Sequence, residues 1–478
     1  MLERRTAWKG EGWAGGGVVR KGSSIAPNVD CYIDTTIDSD AFHDLPSAWS
    51  ELDEPRLMGR GRPKVLVRPQ RWVACAVFLL LFGIFLSRAL NPASLANSFA
   101  QFRRWPRESI LGYATLDKDQ RQDTKNKTSV EDGSAAPRVA ICLVGGARAF
   151  ELTGLTIKKY VLDVYEHADV FLHVPVDENS HKLTLLKDTS NKLAVARIFV
   201  PKNIPVTYKL QEVLTGVNSP NGVQGLLQYF SLVEGCLGMI SWYEEMNGFK
   251  YDWIIRTRVD GYWRKPLPQL SFFEPEKYYI PIGSSFGGYN DRLGIGTRRT
   301  SWAALSRLSL IPKLHELGYR DLNSEKAFKA QLAAENITAE QNEFAFCILT
   351  SRKYGWPPGW SGVPVAAIQS AGNLNGAKCR LCHPAATGQY AMQVLSGLDP
   401  LWGWMGPVQK GVQLCNSTQD EVSGWEELFD EVSGPKLSLG RKKIKERSRE
   451  ECIQDIKEFG KRWELWEAPD AEELCPSS

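Results

Sequence analysis

The residues best suited to chemistry follow a short apolar strand. Tyr251 to Arg256 reads YDWIIR, and the chain continues Thr257-Arg258-Val259-Asp260-Gly261-Tyr262-Trp263. Side chains alternate along an extended chain, so Arg256, Arg258 and Asp260 turn to one side. A carboxylate beside two guanidiniums at a sheet edge suits a divalent cation and a diphosphate together. Asp260 would hold Mn2+ or Mg2+ through oxygen, while Arg256 and Arg258 neutralise phosphate oxygens. The competing reading is a structural Arg–Asp pair. A second candidate follows VAICLV (Val139–Val144), which ends in Gly145-Gly146-Ala147-Arg148. The glycines allow close backbone approach to a ligand, and Arg148 suits a bidentate phosphate contact. A tight turn with a surface arginine has the same sequence. Cys379-Arg380-Leu381-Cys382-His383 is compatible with disulfides to Cys347, Cys415, Cys452 or Cys475, with zinc if Cys415 joins, or with a redox pair. Cys142 and Cys236 read as buried thiols.

These strand ends need a scaffold. Val139–Val144 is a continuous apolar run, as in a parallel strand covered on both faces. Leu152–Tyr165 has helical spacing, and ADVFLHV (168–174) and VARIFV (195–200) read as further strands. Leu226, Phe230, Val233, Leu237 and Ile240 recur every three or four residues, giving a long helix one apolar stripe. Lys277–Ile282 closes the series. Strands alternating with helices predict an α/β fold: an open, mostly parallel sheet with helices on both faces, binding ligands at the carboxyl ends of its strands. GSSFGG (283–288) reads as a flexible loop. Tyr262, Trp263, Trp356, Trp360, Trp402 and Trp404 suit sugar stacking or ordinary packing.

YDWIIRTRVDGYW resembles the strand and metal motif of GT-A glycosyltransferases, which carry an Asp-x-Asp triplet; here Arg258 replaces the first acid. RVAICLVGGARAF is similar to the first strand and donor loop of bacterial lipopolysaccharide-synthesis transferases. Asn290-Asp291-Arg292-Leu293-Gly294-Ile295-Gly296-Thr297 and Asn323-Ser324-Glu325 resemble the acceptor-side loop and the helix start of such enzymes. More closely, NSPNGVQGLLQYFSLVEGC and NDRLGIG resemble a plant family of type II membrane proteins known only as a domain of unknown function. The resemblance implies a GT-A-like fold, a nucleotide-sugar donor and a glycan acceptor. It also implies a proton acceptor, Asp291 or Glu325, in an inverting reaction. A loop aspartate satisfying local donors and an exposed glutamate in a first helical turn are the alternatives. So is a catalytically silent relative that binds glycans or serves as a scaffold.

The chain has 478 residues and a net charge of +3, so nothing in its overall charge points to nucleic acid. Six histidines without an H-x-x-x-H pair argue against a histidine-rich zinc enzyme. Residues 1–71 read as a disordered cytosolic tail. Residues 72–90 contain the uncharged run WVACAVFLLLFGIFL, preceded by Arg56, Arg60, Arg62, Lys64, Arg68 and Arg71. Positive flanks stay in the cytosol, which predicts a single-pass signal-anchor with the C-terminus luminal. A short span favours the thin membranes of the early secretory pathway, hence the Golgi. Residues 91–137 read as a stem, 138–435 as the luminal domain and 436–478 as a charged, solvated helical extension. Sequons at Asn126, Asn336 and Asn416 all follow the span.

Overall fold

A computed structural model describes residues 136–217, 219–406, 411–418 and 423–476. The expected tail, membrane segment, stem and Asn126 lie outside the described residues. Among the described residues no helix is long and apolar enough to cross a membrane.

The chain folds as a mixed α/β domain around an eight-stranded, mostly parallel sheet. In chain order its strands are β1 (Val139–Val144), β2 (Asp169–Pro175), β3 (Lys192–Phe199), β4 (Trp253–Arg258), β6 (Lys277–Pro281), β7 (Leu293–Thr297), β8 (Thr338–Asn342) and β12 (Trp463–Glu467). The spatial order is β12-β3-β2-β1-β4-β7-β6-β8. β1 pairs in parallel with β2 and β4, whereas β7 runs antiparallel to β4 and β6. All six residues of β1 are buried, as the unbroken apolar run requires.

The two faces separate by alternation. Val139, Ile141 and Leu143 pack with Phe150 and Ile157 of helix α1 (Phe150–Ile157). Ala140, Cys142 and Val144 pack with Val233, Cys236, Leu237 and Ile240 of the long helix in Gly222–Asn247. That helix, α3, follows the short α2 (Tyr208–Val213) and ends at Gly248, whose left-handed φ of 68° suits a helix stop. Helices α4 (Arg298–Leu305), α5 (Ile311–Glu316) and α6 (Ser324–Ala334) follow β7.

Two features depart from expectation. A second sheet, ordered β10 (Ala366–Ala367), β11 (Lys378–Arg380), β9 (Phe346–Leu349), β5 (Gly261–Trp263), stands beside the first. Its strands are too short to announce themselves by periodicity. The last forty residues are not an appended, solvated extension. After α7 (Gly388–Ser396), α8 (Trp425–Ser433) and α9 (Pro435–Lys445), α10 (Arg449–Lys461) lays Cys452, Ile456 and Phe459 into the core. β12 then pairs in parallel with β3, and α11 (Ala471–Leu474) ends the fold. The apolar face of α10 is masked in the sequence by the charges around it. Ser448 starts that helix with a capping box through Glu451.

Candidate functional site

The carboxyl ends of β1, β2 and β4 meet where β4 hands the chain to β5 of the small sheet. Val259 N–H donates to Val144 O at 2.9 Å, holding the two strand ends together. After β1, Gly145 takes a φ of +118°, a conformation that favours glycine. Gly146 is constrained differently: an added Cβ would lie 2.9 Å from Asp177 Oδ2. That carboxylate accepts from Ala147 N at 3.0 Å and Asn179 N at 2.9 Å. The second glycine therefore makes room for Asp177, a residue the sequence did not single out. Arg148 is exposed at the rim.

Asp260 does not present a free carboxylate. Arg258 Nε donates to its Oδ1 at 2.8 Å and Nη2 to its Oδ2 at 2.5 Å. Burial opposes its ionisation, but Arg258, then Lys378 and Arg148, hold the carboxyl below its ordinary range. Lys378, from β11, is half-buried, and the cysteine after it is bridged to β9. Burial, followed by repulsion from Arg292 and Arg258, pulls its ammonium down to about 7. Arg292 Nη1 donates to Gly376 O at 3.0 Å. Three cations, Arg258, Lys378 and Arg148, thus act on one carboxylate whose two oxygens are both engaged. A divalent cation prefers several oxygen ligands. This donor set does not fit the Mn2+ or Mg2+ expected at Asp260. Among the described residues no group of three His, Cys, Asp or Glu is arranged to hold a metal.

Arg256 and Asp291 belong to a buried network behind this site. Arg256, expected to meet a phosphate, is 3% exposed. Its Nη1 donates to Asp291 O, and its Nη2 to the Tyr229 hydroxyl at 2.8 Å. Asp291 Oδ2 accepts from Arg307 Nη1 at 2.8 Å, Ser324 Oγ at 3.0 Å and Tyr229 at 3.1 Å. Burial raises the Asp291 carboxyl, yet Arg307 and Arg256 outweigh it and bring it to about 2. A carboxylate so stabilised is a poor proton acceptor. The loop aspartate ties β4, α3 and α6 together instead.

Glu325 lies in the first turn of α6, after the N-cap Asn323, whose side chain accepts from Lys326 N. It is only half-buried. Burial, then the negative charge of Asp291, push its carboxyl up to about 7, against Arg292 and Arg307. Electrostatics link the residues of this region. Arg292 acts on both Glu325 and Lys378, and Arg258 acts on Arg292 and Lys378. The glycine-rich 283–288 segment is anchored, contrary to the expected flexible loop. Ser285 N donates to Trp402 O at 3.0 Å, and Tyr289 N donates to Glu325 O at 3.1 Å. Gly288 is pressed against the Glu325 main chain, where a Cβ would collide. Phe286, Trp402 and Trp404 form an aromatic cluster with centroids 5.1–5.3 Å apart, and Arg292 lies 5.8 Å from the Phe286 ring.

Every cysteine among the described residues is paired. The bridges are Cys142–Cys236, Cys347–Cys379, Cys382–Cys415 and Cys452–Cys475, with Cα separations of 5.8–6.3 Å. Cys379 and Cys382 therefore bond to different partners, which leaves no zinc set or redox pair. Cys142 and Cys236, read as thiols, face each other across β1 and α3. Asn336 is exposed with a φ of 53°. Asn416 is half-buried, its Oδ1 accepting from Thr418 N at 3.1 Å and Oγ1 at 2.7 Å.

Besides Asp177, the sequence left Lys378 and Arg292 unassigned: Lys378 stands one position before the marked cysteine motif, and Arg292 lies within the marked NDRLGIGT segment. Lys378 is the half-buried residue of the otherwise buried segment GAKCRLC, and Arg292 follows Asp291. Neither has a spacing that signals a site; only the fold brings Lys378 to Asp260 and Arg292 to Lys378.

Fold and site together define an α/β protein with an electropositive site at its parallel strand ends. The chain belongs to the family described as Domain of unknown function (DUF7796), which matches residues 134–478. No curated protein matches it. Among solved structures, mouse xyloside xylosyltransferase 1 in its apo form is similar at 11% identity and a TM-score of 0.28, over 45% of this chain and 87% of that one.

Proposed function

We propose that the chain transfers a sugar from a nucleotide-sugar donor to a glycan acceptor within the secretory pathway. One observation carries this reading: Arg148, Arg258 and Lys378 converge at the carboxyl ends of parallel strands, in electrostatic contact through Arg292 with the high-pKa carboxyl of Glu325. As the bond from the anomeric carbon to the diphosphate breaks, negative charge develops on the leaving oxygen, and fixed cations stabilise it most at that moment. Glu325 takes the proton of the attacking acceptor hydroxyl. A base poised near neutral pH suits that step, and Asp291, held at about 2, does not. The half-buried rings of Phe286 and Trp402 suit stacking against the apolar C–H face of an acceptor sugar. Four disulfides support an oxidising compartment. The expected anchor at 72–90 and Golgi residence complete the proposal.

The closed Arg258–Asp260 pair favours a second reading, a catalytically silent glycan-binding relative on the same fold. One experiment separates the two. The full-length chain is incubated with a panel of nucleotide sugars on a glycan array, and transferred sugar is read by mass spectrometry. Transfer that falls roughly 100- to 10,000-fold in Glu325→Gln, with donor binding kept, supports the enzyme. Nucleotide or glycan binding without transfer from any donor supports the silent relative.

A further inference from the structure

We propose that this site grips a diphosphate without a divalent cation, Lys378, Arg258 and Arg148 supplying the positive charge a metal would bring. The inference rests on the donor reading above and deepens it by assigning the ligand's recognition to side chains alone.

Three observations support it. First, the carboxylate expected to hold the metal is occupied. Asp260 accepts side-on from Arg258 through Nε and Nη2. A metal would have to break that pair and then sit among Arg258, Lys378 and Arg148, a like-charge arrangement of high cost. Second, the pairing leaves Nη1 of Arg258 outside the carboxylate contact, and the side chain is 24% exposed. Asp260 thereby fixes the guanidinium as a planar fork, the shape that matches two phosphate oxygens. In this reading Asp260 is a positioning residue. Third, Lys378 makes no hydrogen bond or ion pair among the described residues, although it is half-buried beside three arginines. Burying a cation without a partner is costly. An incoming diphosphate removes that cost, so the unpaired state stores affinity for an anion. Arg148 extends the same field to the rim: its charge reaches Asp260, Lys378 and Asp177. The rigid backing comes from the Cys347–Cys379 bridge, which ties β11 to β9 beside Lys378.

The experiment is calorimetric titration of the full-length chain with UDP, GDP and inorganic pyrophosphate, first in EDTA and then with Mn2+. The expected result is binding in EDTA at an affinity Mn2+ does not improve. Lys378→Met should weaken it on the order of 10- to 100-fold, the loss of one charge-assisted contact. Its melting temperature without ligand should stay at or above that of the parent. Arg148→Met, at an exposed position, should weaken binding in the same direction and guards against a folding defect at Lys378. Binding that appears only with Mn2+ overturns the inference and leaves the donor reading standing. Binding in EDTA that neither substitution weakens also overturns it. Failure of every diphosphate in both buffers overturns the inference and the donor reading together.

Discussion

Replacing Asp291 by asparagine separates a structural carboxylate from a catalytic one. In the parent, one carboxylate oxygen accepts from Arg307, Ser324 and Tyr229, while Arg256 reaches the main-chain oxygen. The Arg307 side chain is 1% exposed and that of Asp291 8%, so the pair lies in a region of weak screening. Two routes give the size of the loss. The carboxyl sits at about 2 against an ordinary 3.8, a gap worth about 2 kcal/mol. Removing one partner of a buried ion pair costs about 3–5 kcal/mol, because the other charge is stranded. A domain of this size loses roughly 1–2 °C per kcal/mol, so Asp291→Asn should melt roughly 2–10 °C lower. The sign of the pH dependence follows. The folded carboxyl is depressed, so its contribution is complete above about pH 4 and fades as pH falls through about 2. The parent should lose this increment in acid, and Asp291→Asn should not. Differential scanning fluorimetry of the full-length chain across pH measures both. A variant that melts within about 1 °C of the parent and yet has lost sugar transfer would refute the structural assignment and restore Asp291 as the proton acceptor.

Diphosphate affinity in EDTA should fall as pH rises through about 7, because Lys378, facing Arg148, Arg258, Arg292 and Asp260, gives up its proton there. Lys378→Arg should bind with no such step, and titration calorimetry at several pH values decides it. Removing the Cys452–Cys475 bridge by paired serine substitutions frees a loop spanning 23 residues and should cost about 3 kcal/mol, read as a lower urea midpoint. Expressed in a eukaryotic secretory system, the chain should lose one mobility step in Asn336→Gln, since that residue is exposed. Insensitivity of the parent to glycosidase would count against a luminal domain.

The first four strands and the long helix were legible because each is one continuous apolar run or one clean stripe. β1 is buried throughout, and α3 buries Phe230, Val233, Leu237 and Ile240 as the spacing required. The small sheet was not legible: β5, β10 and β11 have two or three residues each, too few for any period to register. The site was legible in half. Alternation along YDWIIRTR put Arg256 and Arg258 on one face, but it carries no information about depth. Depth made Arg256 a strut to Asp291 and left Arg258 at the opening. Lys378 lies 118 positions beyond Asp260 and joins it only because β5 and β11 share a sheet through β9. Glu325 and Asp291 carried equal weight as acids in the sequence, and their neighbours drove one carboxyl up and the other down.

The outermost position beside β3 is filled by a strand made long after it. Arg197 of β3 and Glu467 of β12 form a salt bridge across 270 positions of sequence. At roughly 5–20 residues per second, a ribosome needs tens of seconds to supply that neighbour. Meanwhile the apolar edge LAVARIF is a template for the wrong strand, including one from another nascent copy. A stop codon just short of Trp463 would spare every residue of the strand-end site and still leave that edge bare. Loss of β12 should therefore appear as aggregation and clearance during biosynthesis rather than as a defect in ligand recognition.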